Sequence, residues 1–230
     1  MKLGDLTASA DFSFNSDTIS FIDAGGGTDS NWTYVGPEEA VEYAEFGITA
    51  GWYDNDYLND EFGWSGPIDD KARGNDLPLP YGKAIIVQSG IDTATINCSG
   101  EVLPANKQLM IVAGGWNMLG NATPVDLKLG DIVAGGGFSF NSDTLSILDA
   151  GGGTASNWTY VGPEEAEEYA EFGITAGWYD NDYLNDEFGW AGPIDDKARG
   201  NNIPVPAGFG FVVQSGVDGA YIELPTPLAD

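Results

Sequence analysis

Short apolar stretches with period-two alternation, broken every eight to twelve residues or so by Gly, Pro, Asn and Asp, predict strands and tight turns along most of the chain. The pattern is clearest in the C-terminal half. Residues 108–113 read as an apolar strand, followed by GGWNMLGN and a proline-containing turn. A brief element covers 128–133, a strand covers 144–149 and leads into AGGGT, and 157–161 is the return strand. Residues 174–179 read as another strand, and IPVPAGFGFVVQSGVDGAYIELP as two strands around a Ser-Gly-Val-Asp-Gly turn.

One segment has helical signals. In GPEEAEEYAEFG, Pro163 stands at the first helical position, glutamates fill the first turn, and Gly173 stops the run. Ala166, Tyr169 and Ala170 fall on one face, and position 167 falls on the solvent side. Strands outnumber helices too heavily for an α/β fold. The expectation is an all-β protein made of β-sandwich-like domains, each with one short helix.

The pattern also repeats. Residues 12–96 recur as 138–222, and 68 of the 85 aligned positions are identical. Within 23–75 the copies differ only at Asp29/Ala155, Val41/Glu167 and Ser65/Ala191. A tandem duplicate points to a modular array rather than a single cleft. The predicted domains are 1–106 and 107–230. They are unequal: residues 105–127, with the QLMIVAGGWNMLGN strand pair, have no counterpart before Met1, and the second copy ends at Asp230, aligned with Pro104. If that segment is an integral strand pair, one body keeps an unpaired sheet edge, a template for pairing with another chain. If it only bridges two complete bodies, no such edge exists.

Composition narrows the function. An apolar content of 42% argues for folded domains despite a formal charge of −28. That charge repels nucleic acid and anionic membrane surfaces, and no apolar run is long enough for membrane insertion. The opening MKLGDLTASADFSF has no apolar signal core. The low Lys content and the Gly/Asn/Thr/Trp-rich strands read as extracellular or cell-surface. There is no histidine, so the commonest neutral-pH acid/base is missing. Cys98 is the only cysteine and is replaced by Leu224 in the second copy, so it reads as a small buried apolar residue.

Candidate chemistry concentrates in the acidic aromatic loop. Asp54, Asp56, Asn59, Asp60 and Glu61 recur as Asp180, Asp182, Asn185, Asp186 and Glu187. Oxygen ligands at this density suit calcium, although the spacing is not that of an EF-hand. No other cofactor is expected. A solvated acidic loop balanced by Lys71 and Arg73, or by Lys197 and Arg199, is the competing reading. Those four residues are the cations of the DDKARG patches, which suit contact with an acidic neighbouring subunit and pairing within their own domain equally. Trp32, Tyr34, Trp52, Tyr53, Tyr57, Phe62 and Trp64 gather nearby with partners 126 residues on. They suit core, interface or sugar stacking, with Trp64, Trp190 and Trp116 as interface candidates. Asn31, Asn97, Asn121 and Asn157 head Asn-x-Ser/Thr sequons. Carboxylate neighbours such as Asp69 and Asp70 do not form a catalytic pair, because adjacent extended residues point opposite ways.

GWNMLGN, GWYDND and IPVPAGFGFVVQSG together resemble uncharacterised repeat domains of bacterial secreted and cell-surface proteins. The first copy departs from the closing motif with LPLPYGKAIIVQSG. The resemblance implies a surface or appendage role and carries over no catalytic residue. The sequence therefore predicts a non-enzymatic extracellular structural protein, self-assembling into a filament or surface layer. A tandem calcium-dependent carbohydrate-binding or adhesion module, with glycans as partners, is the second reading.

Overall fold

The computed structural model describes residues 1–14, 16–23, 25–60, 69–99, 102–148, 154–186 and 194–228. The chain is mostly β, with antiparallel sheets and, among the described residues, four short α-helices. It divides into two compact units: Met1–Ile22, Gly27–Tyr81 and Ile85–Glu101 form the first, and Asp23–Gly26, Gly82–Ala84 and Val102–Asp230 the second.

In the first unit the elements are β1 (Thr7–Ala8), β2 (Thr18–Ile22), β3 (Thr28–Val35), α1 (Pro37–Glu42), β4 (Gly51–Asp54), α2 (Asn55–Asp60), β5 (Ile86–Gln88) and β6 (Ile96–Asn97). Strands β4-β3-β2-β5 form one antiparallel sheet, and β1 pairs with β6. The second unit opens with β7 (Lys107–Met110) and β8 (Trp116–Gly120), then β9 (Leu127–Lys128) and β10 (Val133–Gly135). It continues with β11 (Thr144–Leu148), β12 (Thr154–Val161), α3 (Pro163–Glu168), β13 (Gly177–Asp180) and α4 (Asn181–Asp186). It closes with β14 (Pro204–Val205), β15 (Gly210–Gln214) and β16 (Tyr221–Leu224). Its sheets are β13-β12-β11-β15-β8, β10-β16-β7 and β14-β9.

Alternation along the strands builds two cores per sheet. In β4, Trp52 points to one face and Tyr53 to the other, and both are fully buried. Trp52 joins Leu3, Leu6, Phe12, Ile19, Phe21, Trp32 and Leu79, with Ala8 and Ile96 of the small sheet packed against them. This cluster lies between the two sheets and gives the sandwich-like layering. Tyr53 joins Val35, Ile48, Leu58 and Ala72 beneath the helices. The second unit repeats that cluster around Val161, Ile174, Tyr179, Leu184 and Ala198.

The helix that starts at Pro163 is shorter than its sequence signals suggest. It ends at Glu168, a 3-10 turn follows over Ala170–Phe172, and Gly173 closes it at φ 73°. Position 167 faces solvent, as does Val41 in the first copy. Among the described residues each repeat holds two short α-helices rather than one, because NDYLND of the acidic loop is helical in both copies.

Candidate functional site

The acidic loop is built around helix capping. Asp54 precedes α2, and its Oδ1 accepts the Tyr57 N–H at 2.9 Å; Asp180 does the same for Tyr183 at 2.9 Å. These carboxylates satisfy orphan amides of the first turn and favour the helix N-terminus electrostatically. Asp56 and Asp182 are exposed. Asn59, Asp60, Asn185 and Asp186 fall in the last turns of the helices, with side chains outside the described residues. Glu61, Glu187, Trp64 and Trp190 lie outside them altogether. Among the described residues no group of three or more acidic or cysteine side chains is placed to hold a metal ion. Asn55 Oδ1 is buried without a hydrogen-bond partner among them.

The DDKARG patches divide in two. Lys71 and Lys197 are exposed. Arg73 instead binds within its own unit. It donates to the Tyr53 hydroxyl (2.7 Å), Thr49 Oγ1 (2.9 Å) and Gly47 O (2.6 Å), and its Nε lies 3.3 Å from Asp70. The guanidinium stands 5.4 Å from the Tyr53 ring centroid. Arg199 repeats the set with Tyr179, Thr175, Gly173 and Asp196. A planar five-donor head satisfies a buried tyrosine hydroxyl and a helix-end carbonyl at once.

The tryptophans also separate. Trp32, Trp52, Trp158 and Trp178 are buried, the Trp52 indole donating to Leu6 O and that of Trp178 to Ile132 O. Trp116 on β8 is 43% exposed.

The largest difference between the repeats is the strand pair β7–β8. It belongs to the second unit, where β8 lies on β15 and β7 on β16. Among the described residues of the first unit, no strand takes the corresponding places beside β5 and β6. The consequence is read in side chains 126 residues apart. Val213, Ala220, Ile222 and Leu224 are fully buried. Their counterparts Val87 and Cys98 are exposed, and Ala94 and Ile96 are half-buried. Exposed Ile91 continues this apolar edge. The expectation of a buried Cys98 is thereby corrected: Leu224 ends the strand that β7 covers, whereas β6 carries no second neighbour among the described residues.

Asn117 fixes the strand pair in place. Its Oδ1 accepts the Val112 N–H, and its Nδ2 donates to Val112 O, Gly115 O and Val213 O, all between 2.8 and 3.2 Å. Sequence reasoning did not single out this residue, since an asparagine in a Gly-Trp-Asn run reads equally well as a turn.

A second network missed by the sequence reading centres on Asp17. Burial raises its pKa, but hydrogen bonds from the Ser13 amide, the Ser89 hydroxyl, the Gly90 amide and the Ser16 hydroxyl outweigh this and lower it. The carboxylate ties the start of β2 to the turn after β5. Asp143 makes the equivalent bonds to Ser139, Ser142, Ser215 and Gly216.

The sequons differ in availability. Asn121 is buried and donates to Val125 O and Val205 O, while Asn31 and Asn157 accept from Ser20 and Ser146. Asn97 is exposed. No helix among the described residues is long and apolar enough to cross a membrane.

No protein-family model, no curated protein and no solved structure matches this chain.

Proposed function

We propose that this chain is a non-enzymatic extracellular structural protein, a subunit that assembles with copies of itself into a filament or surface layer. The observation supporting this is the open edge of the first unit. It combines strands β5 and β6, each paired on one side and without a second strand neighbour among the described residues, exposed Val87 and Ile91, and a fold whose duplicate covers the same positions. Such an edge favours strand addition. The charge of −28 opposes association at low ionic strength, so assembly should strengthen with salt or divalent cations. Extracellular placement rests on composition and on the resemblance to secreted repeat domains.

Light scattering and negative-stain electron microscopy across a salt series test this. Regular particles far above the 24.3 kDa of one chain are expected, reduced by Val87→Asp. A monomer at every salt concentration would end the proposal.

A tandem calcium-dependent carbohydrate-binding or adhesion module is the second reading, favoured by one observation. Asn55 Oδ1 is a buried acceptor without a partner among the described residues, at the head of the acidic helix. Because Trp32, Trp52, Trp158 and Trp178 are buried, sugar stacking would fall to Trp116 or to the loop tryptophans Trp64 and Trp190. Calcium-dependent melting together with glycan-induced changes in tryptophan fluorescence would establish it. The glycan-induced fluorescence change is not expected of the structural subunit.

A further inference from the structure

The two repeats share the ladder of their small sheet but not its outward face. Thr7–Asn97 and Ala8–Ile96 pair in the first unit, and Val133–Glu223 and Ala134–Ile222 pair at the same places in the second. The inward residues are unchanged: Ala8, Ala94 and Ile96 recur as Ala134, Ala220 and Ile222. The outward ones all differ, Thr7, Ser9, Thr95 and Asn97 giving way to Val133, Gly135, Tyr221 and Glu223. An antiparallel sheet with one face in water ordinarily carries polar residues there, as the first unit does. The second unit has turned most of that face apolar. Strand β7 extends it with Met110 and Val112, which alternate with buried Leu109 and Ile111. Met110, Val112 and Val133 are 61%, 56% and 42% exposed.

The middle row of this face is flat and uncharged. Met110, Tyr221 and Gly135 lie side by side on β7, β16 and β10. A Cβ at Gly135 would stand 2.6 Å from the Tyr221 ring, so glycine is what lets the ring lie across β10. Glu223 lies in the next row, where its carboxylate accepts from the Asn106 and Gln108 side-chain amides at 3.1 and 3.0 Å.

We propose that the outward face of the β10-β16-β7 sheet is a self-association surface, on which the same face of a second copy packs sheet on sheet. Two arguments select a copy as the occupant. A chain of charge −28 repels its own kind, so contact between copies needs an apolar patch with little charge, and this face supplies one. A filament or layer also needs more than one contact per subunit, because a single self-complementary contact closes as a dimer. The inference rests on the proposed assembly and supplies the second contact that it requires. The patch is small, so the contact is weak taken singly and strengthens as salt screens the charge of the two chains.

Sedimentation velocity and light scattering of the full chain across a salt series test it. The face is altered by Met110→Thr, Val133→Thr and Tyr221→Thr together. The last two install the residues that the first unit carries at the same places, and Met110 is exposed, so the fold is kept and a thermal melt checks it. The Val87→Asp chain, its first-unit edge blocked, should still form a dimer through this face. Adding the three threonines should raise the dimer dissociation constant about tenfold or more, as for loss of an aromatic anchor. Val41→Asp, on the solvent side of α1, should leave it unchanged. A Val87→Asp chain that is monomeric at every salt concentration would overturn the inference, as would a dimer indifferent to the threonines. The two proposals fail separately. Large particles that form equally well with the three threonines retain self-assembly and end this face. A native chain that stops at a threonine-sensitive dimer retains the face and ends the filament or layer.

Discussion

Val87 and Val213 occupy the same position of the repeat, opposite Ile19 and Leu145 of the neighbouring strand, yet Val213 is fully buried and Val87 is 47% exposed. The residue, the strand and the inner partner strand are equivalent. What differs is β8, which covers one and not the other. A single substitution should therefore have opposite consequences in the two copies. Val213→Asp places a carboxylate where no water reaches and should cost about 3 kcal/mol or more. Val87→Asp should change stability by no more than about 0.5 kcal/mol. Thermal melts of the two variants at equal salt check this.

Cys98 and Leu224 make the same comparison by chemistry. Native Cys98 should react with a thiol reagent to full stoichiometry without denaturant. A Cys98→Ser, Leu224→Cys variant should react only as the second unit opens. Leu224→Ala should cost about 2–5 kcal/mol through lost burial and the cavity left behind.

Arg73 and Arg199 are expected to act as structural anchors of their own units. Arg73→Ala removes three donors from the Tyr53, Thr49 and Gly47 oxygens and should cost about 2 kcal/mol. Arg73→Lys should not restore it, since an ammonium cannot span three acceptors in a plane. Urea unfolding of both variants measures the difference.

Asp17 gives a pH dependence of defined sign. Its folded pKa is lowered, with hydrogen bonds from Ser13, Ser89, Gly90 and Ser16 outweighing the opposing effect of burial. The stabilisation is therefore fully present above the unfolded value of about 3.9 and is lost as pH falls through the lower folded value. Asp17→Asn should melt lower than the native chain at pH 7. The gap should narrow as pH falls from the unfolded value through the lowered folded value. A gap that persists unchanged in acid would mean that the carboxylate charge is not what these donors stabilise.

Much of the fold was legible in the sequence. Pro163 and Gly173 bracketed α3 and its terminal turn, since both act through their own backbone geometry. The apolar pattern at 144–149 marked β11, although adjacent Leu145 and Ser146, on opposite faces of the strand, are both buried. The acidic loop was less legible. Six residues, NDYLND, are too few to show a helical period, and an isolated helix of that length is not stable in water. It forms because Leu58 packs with Val35, Ile48 and Tyr53 while Asp54 caps its first turn. For a similar reason the sequence left open whether Arg73 pairs within its own domain or with a neighbouring subunit, as its acceptors Gly47 and Thr49 stand more than twenty residues away.

The sequence by itself determined the duplication, the all-β class and the presence of a strand-pair segment between the two copies. These follow from local pattern and self-comparison alone. Only the tertiary structure decided that this segment belongs to the second unit, leaving Val87, Ile96 and Cys98 without their cover. That choice is made by ladders joining residues about a hundred positions apart, such as Trp116 with Gln214 and Lys107 with Leu224. Period-two alternation tells which face of a strand is buried, but not which strand lies beside it.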